Sequence, residues 1–160
     1  MSTLKRVSTT VLIALIISIV TTVTALAATT YIDEFGSRFS GSNLIKAYCS
    51  GCQGQWAYWR SSLDGRGSGT WKASHNNTIT WWYVYIPNQY DAVGGVWYEV
   101  QNSVQSFQVP VIQSHHRGQW VRLGFLDVGN NAKTHMRNTC SGLTYCYLAS
   151  VYWDAAKYVH

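Results

Sequence analysis

The segment that most narrows the folds open to this chain is Thr-Ile-Thr-Trp-Trp-Tyr-Val-Tyr-Ile, running from Thr78 to Ile86 and closed by Pro87. β-Branched and aromatic side chains crowd a helix but fit a pleated strand, and Pro87 with Asn88 ends the pairing. Successive side chains of a strand point to opposite faces, so Trp82 and Val84 cannot share a face with Trp81, Tyr83 and Tyr85. One aromatic set must therefore turn away from the core, onto an outer face, an edge or a binding surface.

Shorter runs of the same kind surround it. Gln55 to Arg60, Val96 to Gln101, Phe107 to Gln113, Trp120 to Val128, Ala132 to Asn138 and Tyr147 to Trp153 read as strands, separated by turn-rich segments. In Val96 to Gln101 the alternation is clean, with Val96, Tyr98 and Val100 on one face. A Gly- and Ser-rich lead, Gly36 to Asn43, precedes these runs, the stretch from Ser61 to Gly69 reads as a loop, and Asn43 to Tyr48 as a short helical turn. Helical periodicity is nearly absent. The expected fold class is all-β, an antiparallel sandwich or barrel.

At the N-terminus, Lys5 and Arg6 precede an apolar run from Val11 to Val20 and small residues up to Ala25-Leu26-Ala27. This is the order of a secretory signal peptide, and the apolar core is about half of the roughly 20 residues that span a bilayer. Residues 1–27 are expected to be removed, leaving 133 of the 160 as a single domain, 28–160, that works outside the cytoplasm with no membrane span. Removal takes the basic count from 12 to 10 against 7 acids, a formal charge of +3. The remaining cations stand singly along the chain, without the patch a nucleic-acid binder concentrates, so no nucleic-acid partner is expected. The oligomeric state is not readable.

Cys49, Cys52, Cys140 and Cys146 all lie in the exported part, where oxidising conditions favour two disulfides. Four cysteines allow three pairings; local pairs, Cys49 with Cys52 and Cys140 with Cys146, are favoured. Cys49-Ser-Gly-Cys52 also has the spacing of a redox motif or half a zinc site, but no helix follows it and no second well-spaced pair exists. No metal and no cofactor are expected.

All 8 Trp, 11 Tyr and 4 Phe follow the signal peptide, more aromatic surface than a core of this size hides. Aromatic faces stack on the C–H faces of sugar rings while amides and carboxylates meet the hydroxyls, the usual mix of apolar platform and placed polar groups. Against this, aromatics are favoured in strands, and most fill the interior of a small sandwich. Catalytic candidates are weak. His115 and His116 sit together in a turn without a third ligand, and Asp91, Glu99, Asp127 and Asp154 offer carboxylate pairs only of the kind any sequence contains. The chain is not expected to be an enzyme.

Several of these residues recur in order in a known family. Tyr83-Val84-Tyr85-Ile86-Pro87, Tyr98-Glu99-Val100, Gln113, Trp120 to Phe125 and Asp154-Ala155-Ala156-Lys157-Tyr158 together resemble the golvesin C-terminal-like domains, which also occur beside xanthan lyase and other secreted polysaccharide-active enzymes. The resemblance is strongest over 82–158. It implies a jelly-roll sandwich of the galactose-binding-like kind that binds carbohydrate without catalysis, and it makes Gln113, Trp120, Leu123, Gly124, Asp154 and Ala155 structural. Sandwiches of that kind commonly bind at loop ends. The expected ligand surface is then Gln55 to Trp71, with Trp56, Tyr58, Trp59 and Trp71 as contacts and Asn76, Asn77 and Gln89 as polar candidates; alternation puts Trp56 and Tyr58 on one face and Trp59 on the other. The expected function is a secreted, non-catalytic module for a polysaccharide or cell-surface glycan, the alternatives being a structural or protein-interaction protein of the cell surface and a small secreted hydrolase.

Overall fold

A computed structural model of the chain describes residues 27–61, 65–91, 95–138 and 150–160. It is an antiparallel β-sandwich. β1 (Thr29–Ile32), β12 (Ala156–Val159), β6 (Thr78–Ile86) and β9 (Gln119–Gly129) lie in that order in a four-stranded sheet. The five-stranded sheet runs β2 (Phe39–Ser42), β5 (Ser68–Lys72), β10 (Lys133–Arg137), β7 (Gly95–Gln101), β8 (Ser106–Ile112). A three-stranded sheet has β4 (Trp56–Ser61) between β11 (Ser150–Trp153) and β3 (Ile45–Tyr48).

The inner faces follow the alternation. Trp82, Val84 and Ile86 of β6 meet Val96, Tyr98 and Val100 of β7 in one buried cluster that also takes Trp71, Met136, Trp153 and Tyr158. Trp81, Tyr83 and Tyr85 turn outward, as one of the two aromatic sets must. β9 keeps pace with β6 through a bulge between the pairs Trp82–Gly124 and Tyr83–Arg122. There Gly124 has φ 145°, and a side chain would press on the Phe107 ring at 3.0 Å.

Gln113, Leu123, Asp154 and Ala155 are buried, in keeping with structural roles. The Gln113 side chain bonds Tyr98 Oη and both the amide and carbonyl of Tyr152, stitching the five-stranded sheet to the three-stranded one. Trp120 is different. It stands half-exposed on the outward face of β9, ring to ring with Tyr31 and Tyr85: alternation sets it with Arg122 and opposite Leu123, and the bulge at Gly124 then keeps Leu126 inward as well.

The Cys49–Cys52 disulfide is formed and closes the turn between β3 and β4, where a 3-10 turn, Gln53–Gln55, follows it. Cys140, Cys146 and residues 1–26 of the expected signal peptide lie outside the described residues. No helix among the described residues is long and apolar enough to cross a membrane.

Candidate functional site

The Gly- and Ser-rich lead before the expected strands itself forms strand β2, and the site is built around it. Gly41 of β2 faces Gly69 of β5 across the ladder. At Gly69 the room a side chain would need is taken by the indole of Trp153; at Gly41 it is taken by Leu44 and the Phe39 ring, 2.9 Å from an ideal Cβ. Two facing glycines thus let bulky neighbours close over bare backbone. Asn43 follows with φ 55°, a left-handed turn residue whose amide donates to Arg66 O at 3.2 Å and ties this end of the sandwich together.

Between these pieces opens a cleft of about 390 Å³ lined by Glu34, Phe35, Gly36, Phe39, Gly41, Asn43, Leu44 and Tyr58. Tyr58 is its centre. Its ring stacks on Phe39 at 5.7 Å and tilts against Phe35 at 4.9 Å, while Phe39 rests on Trp71 at 5.2 Å. Lys46 lies 4.0 Å over Phe35 and 4.9 Å over Trp56, and Trp56 meets Tyr48 edge-on at 5.6 Å. An aromatic surface therefore runs from the cleft to the rim of the three-stranded sheet, carrying one cation.

Glu34 lies in the inner wall of the cleft. It is buried, and neither carboxyl oxygen has a hydrogen-bond partner among the described residues. Burial, reinforced by the neighbouring charges of Asp154 and Asp33, raises its pKa to about 9, so at neutral pH it is a carboxylic acid able to donate as well as accept. Asp154 is raised to about 7 by burial, against the pull of amide bonds from Gln53 and Ala155. Among the described residues no group of three His, Cys, Asp or Glu side chains could hold a metal ion.

The structure separates the residues expected at the site. Tyr58 lines the cleft, and Trp56 shares its face, 41% exposed. Trp59 points the other way and packs with Ala57 and Tyr152. Trp71 is 1% exposed, its indole N–H donating to Asp154 O inside the core; it supports Phe39 from behind and offers no surface to a ligand. Asn76 lines a separate hollow with Lys72, Asn131 and Lys133, and Asn77 makes the turn into β6. Gln89 donates to the sulfur of Cys49. Sequence reasoning missed Glu34, Phe35, Phe39 and Asn43, although Phe35 and Phe39 flank glycine in the same way as the aromatics chosen from Gln55 to Trp71.

No protein-family model and no curated protein matches the chain. Solved structures do. A domain of Paenibacillus xanthan lyase superposes with a TM-score of 0.69 at 17% identity, over 82% of this chain and 13% of that one. The family 35 carbohydrate-binding module of Cellvibrio japonicus Abf62 superposes with a TM-score of 0.55 at 11% identity, over 83% and 94%. An exo-β-1,3-galactanase from Phanerochaete chrysosporium, solved with galactose, does so with 0.52 at 19%, over 84% and 30%. The fold is thus the β-sandwich of carbohydrate-binding modules, and the chain spans only a small part of the two enzymes it matches.

Proposed function

We propose that this protein is a secreted, non-catalytic module of the golvesin-like kind that binds a polysaccharide or cell-surface glycan in the cleft of Phe35, Phe39 and Tyr58. The observation that carries the reading is the cleft itself: Phe35, Phe39 and Tyr58 packed ring to ring along a hollow, with Phe35 39% exposed and Asn43 on its wall, an apolar platform with a polar group placed beside it. The fold shared with the family 35 carbohydrate-binding module of Abf62 supports it.

The test is retention on insoluble polysaccharides, chosen from a glycan array, alongside thermal melting. Tyr58→Ala and Phe35→Ala are each expected to weaken binding at least tenfold, about 1.4 kcal/mol. Phe35, being exposed, should do so with little change in melting temperature. Unchanged binding in both, with the fold intact, would sink the placement. If no glycan on the array is bound, a protein-interaction role of the cell surface takes its place.

Export belongs to the same proposal. Ala28, the residue after the expected cleavage, opens the β1 ladder by exchanging both backbone hydrogen bonds with His160. Intact mass of the exported protein is expected to start at Ala28, and thiol titration to find no free cysteine. Two reactive thiols would overturn the second disulfide.

A further inference from the structure

The outward face of the four-stranded sheet takes no part in the cleft, and its side chains fall into a pattern. Register sets Tyr31 on β1, Lys157 on β12, Tyr83 on β6 and Arg122 on β9 in one line across all four strands. Ring and cation alternate along it. Trp120 closes the line on one side and Trp81 on the other: Lys157 Nζ lies 4.4 Å from the Trp120 ring centre and 5.2 Å from that of Tyr83, and the Arg122 guanidinium lies 5.3 Å from Trp81.

Cation–π attraction holds both charges down against the sheet, so the face is flat and keeps its cations fixed. Among the described residues no carboxylate pairs with either cation, and the acid of this face, Asp127, comes beyond Phe125 toward the far end of β9. Tyr31 is 63%, Phe125 46% and Trp81 37% exposed, whereas Tyr83 and Trp120 are half-buried and serve as seats for Lys157. An apolar face alone does not name its occupant, but two fixed cations without acids among them do narrow it to an anion. Lys157 and Arg122 stand two strands apart, about 10 Å, with the Tyr83 ring between them. An extended chain crossing the strands reaches both charges while its rings lie on the aromatics.

We propose that this face is a second binding surface, separate from the cleft, for an anionic polysaccharide whose acid groups pair with Lys157 and Arg122 and whose sugar rings rest on Tyr31, Trp81 and Phe125. The binding is expected to weaken with salt, since both cations are near the surface.

Affinity electrophoresis of the mature protein through gels of carboxymethyl cellulose or hydroxyethyl cellulose decides it, because the two share a backbone and differ in charge. The expected result is retardation by the carboxymethyl polymer at least tenfold stronger than by the neutral one. Lys157→Gln with Arg122→Gln should abolish that difference, whereas Lys72→Gln with Lys133→Gln, which removes the same charge from the other sheet, should leave it within twofold. Tyr58→Ala should also leave it intact, which separates this surface from the cleft and its failure from failure of the cleft reading. Arg122→Gln alone, at an exposed position, is the second variant if the pair melts early, and should lose at least threefold. Equal retardation by the two polymers, or equal loss from the two double variants, overturns the proposal. So does wild-type binding to phosphatidylglycerol vesicles without binding to the carboxymethyl polymer.

Discussion

Trp153→Ala is expected to destabilise the domain by about 3–5 kcal/mol, the range for emptying a buried aromatic site. Trp153 on β11 pairs with Tyr58 of β4, and its indole crosses the backbone at Gly67, just before β5, and at Gly69 within it, and donates to Met136 O at 3.4 Å. It therefore joins all three strands beneath the cleft. Glycines cannot move in to refill the space, and the loss should approach the upper value. Trp120→Ala, in contrast, removes a half-exposed ring from the outward face, where substitutions act weakly, and should cost no more than about 1 kcal/mol. Urea denaturation of both variants checks the pair through their midpoints. Equal losses would mean that Trp120 is a core residue after all, as its place in the resembling motif implied.

Where pattern alone decided an element, reading and structure agree. Thr78 to Ile86 forms β6 with those bounds, its inward and outward aromatics sort as alternation requires, and Trp56 and Tyr58 part from Trp59. The failures share a cause. β2 is Phe-Ser-Gly-Ser, a composition that disfavours strands on its own, and it is a strand because β5 pairs with it, with Leu44 filling the space above its Gly41 and Trp153 that above Gly69 of β5. Ile45–Tyr48 reads as a turn but is β3, the edge partner of β4, its end tied to β4 through the Cys49–Cys52 turn. The short first and last strands, Thr29–Ile32 and Ala156–Val159, pair with each other across nearly the whole chain, which no local window contains. The cleft was only partly legible for the same reason. Tyr58 could be chosen from its aromatic surroundings, but its contacts with Phe35 and Phe39 are made by the packing of separate sheets, and Trp71 could not be told from a surface residue until the inner face of β5 was known.

Stability is expected to fall as pH rises from 7 to 9, by about 2–3 kcal/mol, and the Glu34→Gln variant should not show the fall. The sign follows from proton binding. Glu34 is raised from 4.5 to about 9 by burial and by the nearby charges of Asp154 and Asp33, so throughout this range the folded chain holds a proton that the unfolded chain has released. Each pH unit then weakens the fold by up to about 1.4 kcal/mol for that group, until ionisation is complete above pH 9. Asp154, raised to about 7, acts in the same direction but mainly between pH 4 and 7, and has largely ionised where Glu34 still titrates. His135 and His160 act in the opposite direction: burial lowers both, so their contribution is lost as pH falls below about 6.5, outside the chosen range. Urea midpoints at pH 7, 8 and 9 for wild type and Glu34→Gln isolate the group, and the variant should be the more stable at pH 9 because its amide carries no charge into the buried site. Parallel curves for the two proteins would show that Glu34 is ionised at neutral pH, and a buried negative charge would then lie beneath the cleft.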